Sequence, residues 1–159
     1  MGCSVDTDRV TRWITIGANL AILVGLVLVL VELSQNRLMM RAQIRHDLSM
    51  GIVEMLNVPA NNRQLSDVLY RAQTGEDLNG PDLFQFQLRT NALFRYWENV
   101  HYQYRLGLYD STEFEKQRDA WQAFFAGTPP GRKYWCDVRT LYSLEFMTEM
   151  DRLLAEYPC

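Results

Sequence analysis

Histidine and cysteine are scarce in this chain, two and three among 159 residues, and each scarcity closes off a class of chemistry. Cys3, Cys136 and Cys159 are odd in number and lack metal-ligand spacing, so they form neither a disulfide framework nor a zinc site. A single Cys136–Cys159 bridge stays open if the domain faces an oxidising compartment, but a reduced domain is the expectation. His46 and His101 fall in separate segments, which leaves no argument for a Ser-His-Asp or Cys-His nucleophile. No glycine-rich phosphate loop is present, and no stretch shows sustained strand alternation or a hairpin turn. Neither sign of charge prevails: 16 basic residues face 19 acidic ones for a net charge of −3, so there is no electrostatic footprint for nucleic acid. The opening MGCSVD places Gly2 and Cys3 as lipidation would, yet Asp6 stands where Ser or Thr is wanted, and the match reads as chance.

What the chain does have is one long hydrophobic run. From Trp13 to Leu33 the only strongly polar residues are Asn19 and Glu32. At 1.5 Å per residue this is roughly 31 Å of helix, the thickness of a hydrocarbon layer, and it predicts a single transmembrane helix over 13–33 after a tail at 1–12. The run is too long and too apolar for a signal peptide. Trp13 sits as an interfacial aromatic would, with Arg9 and Arg12 before the span and Arg37, Arg41 and Arg45 after it. That distribution gives almost no charge bias. The C-terminal domain is expected on the cytoplasmic side, partly because the short tail carries Asp6 and Asp8 and is nearly neutral. Within the span Gly17, Ala21 and Gly25 recur at four-residue steps, the small-residue spacing that lets helix backbones approach in lipid, and Glu32 and Asn36 extend the same face. These five residues are the candidate transmembrane helix-packing face.

Nothing breaks the helix between Glu32 and Leu56. Met40, Ile44, Leu48, Ile52 and Met55 recur by threes and fours, which predicts an amphipathic stalk over 34–58, stopped by Pro59 and the asparagines of NVPANN. The expected picture is one unbroken rod. Arg37, Arg41 and Arg45 form a like-charged row that costs a few tenths of a kcal/mol per pair on an isolated helix. Lipid headgroups reach only a Debye length of about 8 to 10 Å, so they account for Arg37 and Arg41, whereas Arg45 should meet a carboxylate of the domain or water.

The remainder, 59–159, reads as a helical bundle. Helices are predicted from about Arg63 to Gln73 and from Pro81 to about Leu106, the latter with Leu83, Phe86, Leu93, Trp97, Val100 and Tyr104 inward and a second apolar face of Phe84, Phe94, Tyr96 and Tyr102. A third has Asp110, Ser111 or Thr112 as N-cap, the stripe Phe114, Trp121, Phe125 and a stop at Gly127. After a loop GTPPGR, a last helical stretch has Trp135, Val138, Tyr142, Phe146, Met150 and Leu153 as its inner line, with Ser143 capping a break. The fold class is all-α.

The segments VELSQNR, FRYWENVHYQYRLGLYD and RKYWCDVRTLYSLEFMTEMDRLL together resemble an uncharacterised family of small single-span bacterial membrane proteins with a juxtamembrane E/Q-x-x-QN motif and a C-terminal aromatic helical domain. Tyr134-Trp135 stands here for the family's paired tryptophans, and His101 occupies a usually aromatic position. The resemblance implies a bacterial inner membrane and no activity.

Glu98 and His101 have the Glu-x-x-His spacing of carboxylate-bridged di-iron bundles, but such a site needs two such pairs and two further carboxylates. Only one pair exists, with His46 and Glu145 as distant additions, and His101 reads as an aromatic-pocket histidine. Trp97, Trp121 and Trp135 could line a lipid, quinone or haem pocket, but at helical spacing they read as core. No catalytic, cofactor-binding or metal-binding residue is expected, and no cofactor. The expected function is a non-enzymatic membrane-anchored scaffold or interaction protein, a homo-oligomer or an accessory subunit of a larger membrane complex, in contact with membrane lipid. The alternatives are a ligand- or lipid-responsive sensor module and, last, a metal-dependent enzyme.

Overall fold

The fold is that of a computed structural model describing residues 7–157 and 159. Among these residues there are six α-helices and no strand: α1 Thr7–Ala60, α2 Arg63–Gln73, α3 Gly80–Arg105, α4 Ser111–Gly127, α5 Pro129–Val138 and α6 Leu144–Leu153, with a 3₁₀ turn Arg139–Leu141 before α6. The chain divides into two compact units at Met40 and Arg41.

The first unit is the N-terminal part of α1. The helix begins at Thr7, inside the predicted tail, and by length and composition it can cross a membrane. Every residue from Trp13 to Leu33 is exposed, so none of the described residues covers this apolar surface. Gly2, Cys3 and Asp6, on which the lipidation reading turns, lie outside the described residues.

The second unit, Arg41–Cys159, holds the core. The distal part of α1 presents Leu48, 4 % exposed, flanked by half-buried Ile44, Ile52 and Met55, so the predicted stripe is the packing face. Met40 stays exposed. Helix α1 ends at Ala60, past the predicted stop, although Pro59 removes one hydrogen bond from its last turn. Proline has no N–H for the Met55 carbonyl one turn back, and the Arg89 guanidinium donates to it instead. Ser66 Oγ then donates to the carbonyl of Pro59.

Helix α3 lies in the middle. Phe86, Thr90, Phe94, Trp97, Val100 and His101 are buried, whereas Phe84 and Tyr102, expected on a second apolar face, are exposed. Asp110 Oδ1 accepts from the amides of Thr112 and Glu113 at 2.8 and 3.3 Å, which selects Asp110 among the three predicted caps of α4. The expected loop GTPPGR is instead the first turn of α5, since Pro129 and Pro130 occupy positions whose N–H would be unused. Gly131 is buried there because a Cβ would sit 2.8 Å from Phe124 Cε1. The break falls where Ser143 was predicted to cap it, and Leu154 rather than Leu153 completes the buried line. A smaller cluster of Val68, Ala72 and Phe86 joins α2 to α3.

The cysteines correct the expectation of a reduced domain. Cys136 and Cys159 are bonded, their Cα atoms 5.4 Å apart, which is ordinary bridging separation. The guanidinium of Arg132 also lies 4.6 Å from the ring centroid of Tyr157, so two contacts hold the C-terminal tail on α5.

Candidate functional site

On α1, Gly17 and Gly25 have open space where a Cβ would stand, and Ala21, Glu32 and Asn36 are exposed with them. The face is thus bare backbone and small side chain, the surface that close helix packing requires.

The arginine row separates into two groups. Arg37 makes no ion pair or side-chain hydrogen bond among the described residues. Arg41 Nε donates to the carbonyl of Gly107 at 3.1 Å. Gly107, at φ +70°, ends α3 with its amide on Tyr104 O and that of Leu108 on Gln103 O, a left-handed cap that turns the Gly107 carbonyl outward. Arg45 meets Glu113 in the first turn of α4 at 2.8 Å, the first of the two partners, domain carboxylate or water, that the sequence left open. Arg41 and Arg45 therefore fasten α1 to the α3–α4 turn, and the like-charge repulsion along the row is relieved by acceptors at two of its three positions.

A second place is a polar groove of about 480 Å³ between α3 and the start of α6. Glu98 Oε1 accepts from the amide of Ser143 and Oε2 from Arg95, both at 2.8 Å. Arg95 also donates to Leu141 O at 3.1 Å and lies 4.1 Å from the Tyr142 ring centroid. Burial pushes the Glu98 carboxyl up, but these hydrogen bonds outweigh it and hold the group below its usual value. Glu145 pairs with Arg105 at 3.0 Å. The His101 ring is 7 % exposed, 5.9 Å from both Phe114 and Phe146, and burial holds its pKa down against the nearby carboxylates. His46 is exposed on α1. Among the described residues no three His, Cys, Asp or Glu side chains converge as metal ligands. Each cation in the groove is matched by a carboxylate, so the arrangement is a clamp that holds the turn before α6 against α3.

Sequence reasoning missed the ties that join elements far apart in the chain, among them Arg118–Glu149 at 2.7 Å and Arg139–Asp151 at 2.7 Å. It also missed Arg89, whose only signal was a basic residue on the inward side of an apolar helix. No protein-family model, curated protein or solved structure matches the chain.

Proposed function

We propose that this protein is a non-enzymatic, single-span membrane protein that carries a small helical bundle and works by association, with a second copy of itself or within a larger membrane complex. One observation carries the reading: the apolar part of α1 is without cover among the described residues, and within it the Gly17, Ala21, Gly25 face offers open backbone. A bilayer accounts for the apolar surface, and close helix packing accounts for the small residues. The family resemblance adds a bacterial inner membrane as the setting. Arg37, at the end of the apolar run and without a partner among the described residues, is the residue left for a lipid headgroup.

The Cys136–Cys159 bond favours the oxidising side of that membrane for the helical domain, because protein disulfides are rare where thiols are kept reduced. The proposal departs from the cytoplasmic side expected from the sequence, where the charge bias was close to nil.

The association is tested by Gly25→Leu. The mass of the full chain in mild detergent, with bound detergent subtracted, is expected to fall to that of a monomer or of a complex lacking one partner. An unchanged mass would remove the Gly17, Ala21, Gly25 face from the account.

A further inference from the structure

Between α2, the middle of α3 and the α4–α5 corner lies a cavity of about 120 Å³. Leu69, Phe86, Leu93 and Phe124 give it apolar walls, Arg89, Thr90 and Thr128 give it a polar end, and exposed Gln73 stands at its mouth.

The polar end is short of partners. A guanidinium carries five N–H donors, and Arg89 uses one of its terminal nitrogens on the Met55 carbonyl. Its Nε is buried with no acceptor, and no carboxylate of the described residues pairs with it. Thr90 and Thr128 are 2 % and 3 % exposed, yet neither hydroxyl makes a hydrogen bond. Buried donors without acceptors are rare, and a cation in this position is costlier than a neutral group. Here the buried, unpaired Nε of half-buried Arg89 and two hydroxyls without a partner among the described residues line the same small space. Thr128 is also the N-cap of α5, where the helix dipole adds positive potential.

We infer that this cavity binds a small monocarboxylate with an aryl or short branched alkyl body, its carboxylate on Arg89, Thr90 and Thr128 and its body among Leu69, Phe86, Leu93 and Phe124. A planar carboxylate matches the guanidinium fork and accepts from the hydroxyls with its remaining lone pairs. The space is of the order that accommodates a single ring or a short branched chain, so a body of that size fills it. A phosphate dianion would meet apolar walls on the side away from Arg89. The inference stands apart from the association proposed above, since all of these residues lie beyond Arg41.

The test is a titration of the full chain in detergent with benzoate, followed by the methyl signals of Leu69, Thr90, Leu93 and Thr128, with neutral benzamide as the matched control. Saturable shifts confined to the cavity methyls are expected for benzoate, with benzamide weaker by about tenfold or more, the usual scale for hydrogen bonds to a charged group. Arg89→Gln is expected to abolish the preference for the charged ligand. Because that substitution also touches Met55, Thr90→Val provides a second variant of nearly the same shape that leaves the Arg89 contact in place, and it should weaken benzoate several-fold. Absence of saturable shifts, as for a cavity holding only water, overturns the inference. So does equal binding of benzoate and benzamide, or benzoate binding unchanged in Thr90→Val.

Discussion

Phe94 has no exposed surface, and its ring meets those of Trp97, Phe124, Phe125, Tyr134, Trp135 and Tyr142 at centroid distances from 5.4 to 6.3 Å. These partners come from α3, α4, α5 and the turn before α6, so one side chain touches most of the bundle. Removing it takes away transfer free energy and leaves a void that the surrounding rings, being rigid, fill poorly. Phe94→Ala is expected to cost about 3 to 5 kcal/mol in denaturant unfolding of the detergent-solubilised chain. A loss under about 1 kcal/mol, within the range of ordinary surface substitutions, would mean that the aromatic cluster is not the core. The sequence made Phe94 one of several residues on a second face of α3; that Phe94 is buried while Phe84 and Tyr102 are exposed depends on which helices cover that face, and no periodicity within α3 contains that information.

At the scale of elements, α2, α3 and α4 were legible because local chemistry marks their ends: Asn62 Oδ1 caps α2 on the amide of Leu65, Pro81 opens α3, and Asp110 caps α4. The misread ends depend on distant partners. Pro59 signals a stop, but Arg89 from α3 takes over the Met55 carbonyl that proline leaves unmatched, and Ser66 of α2 adds a second donor to the Pro59 carbonyl, which the Asn62 amide already reaches. The Pro-Pro-Gly of α5 signals a loop, and it becomes a helical turn that packs Gly131 on Phe124. Of the candidate polar groove, Glu98, His101 and, as a distant addition, Glu145 were legible; Arg95, Ser143 and Arg105 join them through tertiary contact, and His46 does not. The disulfide was legible as a possibility and no further, since cysteine spacing carries no record of compartment. Its bond gives the orientation proposal a direct test by thiol trapping in cells. Cys136 and Cys159 are expected to resist alkylation in intact cells until a reductant is added, and then to react with a membrane-impermeant maleimide without opening the inner membrane. Free thiols in freshly trapped cells, or labelling that needs an opened inner membrane, would return the domain to the cytoplasmic side.

For the whole molecule, acid is the direction of weakness. His101 and Glu98 are both held below their ordinary values in the folded state, the first chiefly by burial and the second by the Ser143 and Arg95 hydrogen bonds that overcome burial. In each case the unfolded chain takes up a proton at a higher pH than the folded one, so protons favour unfolding. The contribution of His101 is complete above its free value of 6.5 and is lost as pH falls through its lowered folded value. That of Glu98 is complete above 4.5 and is lost further down. The melting temperature of the detergent-solubilised chain is therefore expected to decline in two stages on acidification, the first beginning near 6.5 and the second near 4.5. His101→Phe separates them. A phenyl ring keeps the packing between Phe114 and Phe146 and has no proton to gain, so the upper stage should vanish while the lower one remains. If the upper stage survives in the variant, the buried imidazole is not its source, and another titrating group must account for the loss of stability in that range.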